Sequence, residues 1–242
     1  MELLNVNTCL IINLKSREDL WNSIEPFRKE WEKLNKKIIR IDGIDLNSSS
    51  HNMNKLIMSQ RINLNAKGFR KNKVSVLGEF GCYLSHYKCW QYILEHNLEN
   101  ALIMEDGICM LRNDYELLTM DKELDILFVN KEMKKYNQHL IDGYGLQGYV
   151  VTLNGAKKLL HTCKVLTYPI DLQLRNYCNS SILKGKTMDH PFLERNNNRE
   201  SSISKVISDT DDLNNKQNLM HNFFERIVIN LINKNVDLDE FI

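Results

Sequence analysis

The fold is decided by residues 8–45, which read TCLIINLKSREDLWNSIEPFRKEWEKLNKKIIRIDGID. The run from Thr8 to Leu14 is short and apolar with polar ends, as expected of a buried parallel strand. Lys37 to Ile41 has the same character and predicts a second strand. Between them, after Ser16 as a candidate N-cap, apolar residues recur at helical spacing: Leu20, Ile24, Phe27, Trp31 and Leu34. The order strand, helix, strand predicts a βαβ unit, with ligands bound beyond the ends of its strands.

Further elements of the same kind follow along the chain. Residues 47–77 are polar and predict a loop-rich insertion with one weak helical pattern at 53–62, and a strong helix is expected from Gly78. Buried strands are expected at 101–104, 125–129 and 148–152, and Asn154 is a candidate cap for the helix after the last of them. Beyond Pro169 the pattern weakens, and 196–202 reads as a solvated loop. No repeat or linker interrupts the chain, so one α/β domain over 1–242 is predicted.

An amphipathic helix is expected near the C-terminus, at about 216–235. Its apolar residues are Met220, Phe223, Phe224, Ile227 and Leu231. Such a face either packs on the domain or pairs with a second copy of the chain as a homodimer, and packing on the domain is the more common use.

Composition excludes several classes of protein. The 32 basic and 31 acidic residues give a net charge of +1, too little to indicate a nucleic-acid partner. The six cysteines form no close CxxC pair, which indicates reduced thiols. No signal peptide and no run of about 20 apolar residues is present, so we expect a cytoplasmic protein without a membrane span.

The most informative chemical motif is a strand that ends in carboxylates, Leu102-Ile103-Met104-Glu105-Asp106-Gly107. A divalent cation held by strand-end carboxylates can neutralise a leaving diphosphate, which a sugar-nucleotide transferase requires. The motif alone is weak, because open α/β sheets commonly end strands in polar loops.

Two further segments carry candidate side chains. In Gly78 to His86, Glu79 and His86 are seven residues apart and so lie on one helical face, although capping and packing explain such residues equally well. In Tyr168-Pro169-Ile170-Asp171, a rigid turn is expected to present one carboxylate, and a capping aspartate is the alternative.

Taken together, six segments in order resemble glycosyltransferase family 25, the lipooligosaccharide and collagen galactosyltransferases. The matching segments are Ile12 to Arg17, Arg40 to Asp45, Gly78 to His86, Ala101 to Gly107, Gly148 to Val151 followed by Gly155 to Leu160, and Pro169 to Asp171. Six ordered matches are far more specific than one.

The resemblance implies a GT-A type fold with a mixed central sheet, a UDP-sugar donor, a Mn²⁺ or Mg²⁺ cofactor and inversion at the anomeric carbon. It places Asn13, Leu14 and Arg17 near the base or diphosphate, Asp42 and Asp45 near the ribose and uracil, and Ser85, His86 and Glu105 also at the donor. Asp106 would hold the metal, with His190 as a further candidate ligand. Asp171, or Glu79 behind it, would be the base that deprotonates the acceptor hydroxyl. The acceptor would be a glycan or a glycoprotein.

One departure from the family pattern bears on activity. Gly107 stands where the family usually has a third acidic residue, and losing an anionic ligand weakens the hold on a hard cation. The alternative is therefore a degenerate member that binds a sugar nucleotide without turnover. A Rossmann-type oxidoreductase or methyltransferase is disfavoured, because Lys15-Ser16-Arg17 follows the first strand in place of a glycine-rich turn.

Overall fold

The computed structural model describes residues 2–45, 73–136 and 140–196, with side chains in the helix after residue 72 described from Gly78 onward. The strands of this part of the chain are β1 (Leu3–Asn5), β2 (Thr8–Asn13), β3 (Lys37–Asp42), β4 (Asn100–Glu105), β5 (Ile108–Met110), β6 (Thr119–Asp121), β7 (Ile126–Phe128), β8 (Met133–Lys135), β9 (Ile141–Gly143), β10 (Gly148–Thr152), β11 (Gly185–Thr187) and β12 (Leu193–Arg195). The helices are α1 (Glu18–Ser23), α2 (Glu25–Lys33), α3 (Lys73–Glu95), α4 (Leu153–Thr162) and α5 (Ile170–Asn179), with a 3-10 turn at Tyr115–Leu117.

The central sheet has six strands in the order β11-β7-β10-β4-β2-β3. β2 pairs in parallel with β3 and β4, and β7 in parallel with β11, whereas β10 runs antiparallel to β4 and β7. The α/β class and the mixed central sheet expected from the sequence are confirmed. Because five of the six strands point the same way, their carboxyl ends share one edge of the sheet.

The βαβ unit forms as predicted, but its helix is broken in two. α1 and α2 meet at Ile24, and Pro26 lies in the first turn of α2. Proline has no N–H to bond the preceding turn, so it is tolerated at a helix start and not within one continuous helix. The N-cap position of α1 is Arg17, so the assignment of Ser16 was wrong.

Two other predicted boundaries are also corrected. α3 begins at Lys73, whereas a loop had been expected up to residue 77 and a helix only from Gly78. A glycine inside a helix costs only about 1 kcal/mol, so the helix continues through Gly78 instead of beginning there. α4 is capped by the Thr152 hydroxyl, which accepts the Gly155 N–H at 3.1 Å. Asn154 is not the cap but lies inside that helix and donates to the Asp125 carboxylate at 2.9 Å.

Several short elements were not predicted. β1 pairs with β6, β5 with β12, and β8 with β9, each over three residues. Three residues are too few to show a period of two, so the sequence pattern misses them. The predicted helices at 53–62 and 216–235 lie outside the described residues, as does most of the predicted loop at 196–202.

The core lies on both faces of the sheet. On one face, Leu10, Ile12 and Ile103 pack with side chains of α3, α4 and α5. On the other, Ile11, Leu102 and Met104 pack with α2 and the segment around Tyr115. This alternation follows the pleat of the strands, and it determines which way the polar residues at the strand ends point. Within the described ranges, no helix has the length and apolar character needed to cross a bilayer.

Candidate functional site

Polar residues gather where the parallel strands β2, β3 and β4 end. Asn13 and Asp42 are register partners at the ends of β2 and β3, and Ile12 is paired with Glu105 at the end of β4. The parallel pairing therefore brings Asn13, Asp42, Glu105 and the next residue, Asp106, to one edge of the sheet, as the sequence predicted.

Asn13 is the residue that positions Asp106. Its side chain is only 1% exposed. Its Nδ2 donates to Asp106 Oδ2 at 2.5 Å and to the Arg17 carbonyl at 2.9 Å, while its Oδ1 accepts from Arg40. Every polar atom of this amide is thus used, and Asp106 is held against the start of α1. The pleat explains the pairing, because Asn13 and Asp106 lie on the same face as Ile11 and Met104.

The surroundings of Asp106 supply too little positive charge to offset the burial of its carboxylate. The pKa of Asp106 is raised from 3.8 to about 6. Burial is the main cause and the neighbouring Glu105 adds to it, whereas the Asn13 hydrogen bond and Arg17 act in the opposite direction. A carboxylate whose burial outweighs its favourable contacts is one that a bound cation would stabilise.

Glu105 points to the other face of the sheet, toward α3. Its Oε1 accepts from the Cys82 thiol at 3.5 Å and lies 3.4 Å from His86 Nε2. The ligand atoms of these three residues lie within 4.8 Å of one another, a grouping that could hold a metal ion. Burial, followed by the negative charge of Glu105 and Asp171, raises the pKa of the Cys82 thiol well above its usual value, so the thiol is a neutral donor here.

A buried chain of hydrogen bonds fixes the orientation of His86. The fully buried Tyr149 hydroxyl accepts from Trp90 Nε1 at 2.9 Å and lies 3.0 Å from His86 Nδ1. Since the hydroxyl proton needs an acceptor, we assign His86 Nδ1 as that acceptor, which leaves the ring proton on Nε2, facing Glu105. Trp90, Tyr149 and His86 therefore hold Glu105 in place.

The other predicted donor residues lie around the same edge. The Ser85 hydroxyl accepts the Ile44 N–H at 2.9 Å and donates to the Gly81 carbonyl, which joins α3 to the loop carrying Asp45. Asp42 forms an exposed ion pair with Lys15 at 2.9 Å. At the end of β2, the Leu14 carbonyl accepts the Arg17 N–H at 2.8 Å and turns the chain into α1.

The two candidate bases, Asp171 and Glu79, lie on different helices. Asp171 is in the first turn of α5, so the expected rigid turn is the start of a helix, and its Oδ2 accepts the Gly145 N–H at 2.8 Å. Glu79 is on α3, and both carboxylates act electrostatically on Cys82. The structure thus brings Asp171, Glu79 and Glu105 around one thiol.

His190 lies apart from this group, in the segment between β11 and β12. It is exposed and lines a cavity of about 560 Å³ with Arg112, Lys131, Lys134 and Lys135. Within the described ranges, no hydrogen bond or ion pair joins it to Asp106. The segment does approach the acidic motif, because β12 pairs with β5 and the Asn196 N–H donates to the Gly107 carbonyl at 3.1 Å.

Sequence reasoning missed four residues of this region: Arg40, Cys82, Gly145 and Tyr149. Cys82 was detectable, since it precedes His86 by four residues and so shares its helical face. The other three have no local signal, because their partners lie 27, 26 and 63 residues away.

The residues present fit a divalent cation only in part. Asp106 supplies an oxygen ligand of the kind that Mn²⁺ and Mg²⁺ prefer, whereas the Cys82 and His86 atoms beside Glu105 suit softer ions. At Gly107, no described atom lies within 4 Å of the place where a Cβ would be. Among the described residues, nothing therefore blocks the acidic side chain that the family resembled by this sequence usually has at this position.

Comparison with known proteins identifies the family. A sequence profile for glycosyltransferase family 25 (LPS biosynthesis protein) matches residues 6–140. An Anopheles gambiae glycosyltransferase 25 family member is 34% identical over 113 residues, 39% of this chain and 19% of that protein. Human procollagen galactosyltransferase 2 is 26% identical over 175 residues, 62% of this chain and 26% of that protein. The chain thus spans about a fifth to a quarter of the length of these relatives.

Two solved structures are also similar. A glycosyltransferase involved in glycosylation of the major capsid of PBCV-1 aligns with 84% of this chain and 98% of its own, at 8% identity and a TM-score of 0.47. A Drosophila β1,4-galactosyltransferase 7 variant in complex with manganese, UDP-galactose and xylobiose aligns with 86% of this chain and 81% of its own, at 10% identity and a TM-score of 0.39. The sequence profile covers more than half of the chain and includes the strand ends that form the site. The chain therefore belongs to glycosyltransferase family 25.

Proposed function

We propose that this chain transfers a hexose, galactose or glucose, from a UDP-sugar to a hydroxyl of a glycan or a protein-linked acceptor, with inversion. The observation that most supports this proposal is that Asn13, Glu105 and Asp106 meet at one edge of the sheet. Burial there raises the pKa of Asp106, so its negative charge is not fully offset by its neighbours. A diphosphate bound with a cation needs such a carboxylate. The family and the galactosyltransferase relatives support the transfer of a sugar.

In this proposal, Asp106 holds the metal, Mn²⁺ or Mg²⁺, and Glu105, which lies beside His86, is at the donor. The cation supplies charge neutralisation for the leaving diphosphate. His190 is proposed as a further ligand, since its segment leads into β12 beside Gly107. Arg17, Asn13 and Leu14 lie at the diphosphate or base, and Asp42, Asp45, Ser85 and His86 border the nucleotide.

The proposed base is Asp171, with Glu79 as the second candidate. An inverting transfer needs one group that takes the proton from the attacking hydroxyl. Asp171 Oδ2 accepts the Gly145 N–H, and that bond fixes its orientation. A carboxylate oxygen carries more than one lone pair, so the fixed group can still accept a proton.

The protein is proposed to work in a reducing compartment, the cytoplasm. All six cysteines are free thiols, as the sequence predicted, and three of them are buried. Reduced cysteines are the norm where glutathione and thioredoxin keep thiols reduced.

The alternative is a degenerate member that binds a sugar nucleotide without turnover, and Gly107 is the observation that favours it. Binding and turnover separate the two. Wild-type protein should bind UDP in a Mn²⁺-dependent manner by calorimetry and release UDP from at least one UDP-sugar in a mass-spectrometric screen. Binding without release supports the degenerate member.

Variants assign the roles. Asp106→Asn should abolish the Mn²⁺ dependence of UDP binding, whereas Asp121→Asn, in β6 and remote from this edge, should not. Asp171→Asn should retain UDP binding and lose transfer. Gly107→Asp should tighten Mn²⁺ binding, because it adds a carboxylate in open space. Unchanged Mn²⁺-dependent affinity in Asp106→Asn would show that the metal assignment is wrong.

A further inference from the structure

The cavity that contains His190 is rich in positive charge. It has a volume of about 560 Å³, and its lining includes four cationic side chains, Arg112, Lys131, Lys134 and Lys135, against one carboxylate, that of Asp189. Such a lining in a chain of net charge +1 is a local concentration of charge, and it favours an anionic ligand.

Two of the four cations are held by acidic partners. Arg112 pairs with Asp114, donates to the His190 carbonyl at 3.1 Å and stacks 4.4 Å from the Phe192 ring. Lys131 pairs with Glu194 at 2.8 Å. These contacts fix the Arg112 and Lys131 side chains in the cavity wall and neutralise part of the positive charge of the cavity.

Lys134 and Lys135 are different. Both are exposed on β8, and among the described residues neither forms an ion pair. Asp142, which faces Lys134 across the β8–β9 ribbon, is instead paired with Arg175 at 3.1 Å. The two lysines therefore supply the positive charge that a ligand can use.

The same ribbon leads from the cavity to the proposed base. β9 ends at Gly143, and two residues later the Gly145 N–H binds Asp171 at 2.8 Å. At this same end of the ribbon, just before β8, Asn130 Nδ2 donates to the Gly145 carbonyl at 3.4 Å and to Gln147 Oε1 at 3.2 Å. Lys134, Lys135 and Asp171 are thus attached to one short, hydrogen-bonded piece of structure.

We propose that this basic cavity binds an oxyanion group of the acceptor, a phosphate or a carboxylate carried by the glycan, and so directs the attacking hydroxyl toward Asp171. The inference rests on the proposed function for its second half, since an acceptor site has meaning only for a transferase. The first half, an anion site at Lys134 and Lys135, is independent of turnover.

The test is calorimetry at low salt with three ligands that share one disaccharide: the neutral sugar, its phosphate monoester and its uronic acid. The proteins are the wild type, the cavity variant Lys134→Gln/Lys135→Gln, and the matched control Lys157→Gln/Lys164→Gln, which removes the same charge from exposed lysines of α4 and the following loop. Glutamine is used because glutamate at position 134 would repel Asp142 across the ribbon.

At least one charged ligand should bind the wild type about fivefold more tightly than the neutral sugar, and the preference should decrease as salt is added. The cavity variant should lose that preference, while the control retains it. The charged ligand that binds more tightly than the neutral sugar identifies the recognised group as phosphate or carboxylate. Equal binding of charged and neutral sugars, or an undiminished preference in the cavity variant, would overturn the proposal.

UDP binding, measured in parallel, separates this proposal from the proposed function. All three proteins should bind UDP with Mn²⁺ to a similar extent, because none of the four lysines is among the residues proposed to hold the metal or the donor. Loss of UDP binding in every protein would refute the donor assignment. The anion site would still be tested separately by the binding of the charged and neutral sugars.

Discussion

Replacing Asp106 by asparagine is expected to stabilise the fold while it removes the proposed metal ligand. The pKa of Asp106 is raised from 3.8 to about 6, mainly by burial. The folded state therefore binds the proton more tightly than the unfolded state. Stability is lost as pH rises from about 4 to about 6, and the full penalty remains at neutral pH.

The size of the effect follows from that shift. A shift of about 2 pKa units corresponds to about 3 kcal/mol. Because Asp106 is only partly buried, we expect about 1–2 kcal/mol, or roughly 2–8 °C in melting temperature for a chain of this length. Asparagine keeps an oxygen that can accept the Asn13 Nδ2 hydrogen bond, so little is lost in exchange.

The assay is urea unfolding of wild type and Asp106→Asn with EDTA, at pH 7.5 and pH 5. All groups other than residue 106 are shared, so they cancel in the difference between the two proteins. The variant should be more stable at pH 7.5, and the difference should decrease to about half at pH 5. A variant that is less stable at pH 7.5, or a difference independent of pH, would refute the electrostatic account of Asp106.

Three other substitutions test the framework of the site. Tyr149→Phe should cost about 1–3 kcal/mol in urea unfolding, because it leaves Trp90 Nε1 buried without an acceptor; an unchanged midpoint would contradict this. Gly145→Ala should cost about 1–3 kcal/mol and lower transfer with UDP affinity unchanged, since residue 145 has φ of 87° and its N–H orients Asp171; full turnover would argue against that role. Asp125→Ala should cost about 3 kcal/mol by thermal unfolding, because the buried carboxylate accepts from Asn154, Lys158 and the Lys184 N–H, and a loss under 1 kcal/mol would show that the network contributes little.

Much of the central sheet was predictable because its strands are apolar throughout. Residues 9–13, 101–104 and 148–152 are buried, and such runs stand out from the polar loops that follow them. The short paired strands were not predictable, because three residues carry no period, and for β1–β6 and β5–β12 the partners are also distant in sequence.

The candidate site was predictable in composition and only partly in arrangement. Asn13 and Asp106 follow strand ends, so parallel pairing alone brings them to one edge. Glu105 and Asp106 are adjacent in sequence, yet they point to opposite faces of the sheet, toward His86 and Asn13 respectively. Adjacent residues at a strand end alternate in direction, so neighbours in sequence need not act together.

The sequence by itself determined the family, the strand order of the first βαβ unit and the strand ends that carry the carboxylates, because these depend on local pattern and ordered motifs. The tertiary structure alone decided that Asn13 holds Asp106, that Gly145 orients Asp171 and that basic residues from β8 and the β5 and β11 loops line one cavity. Asn13 and Asp106 are 93 positions apart in the sequence, and Gly145 and Asp171 are 26 apart. Residues so far apart come into contact only when the sheet and its covering helices assemble.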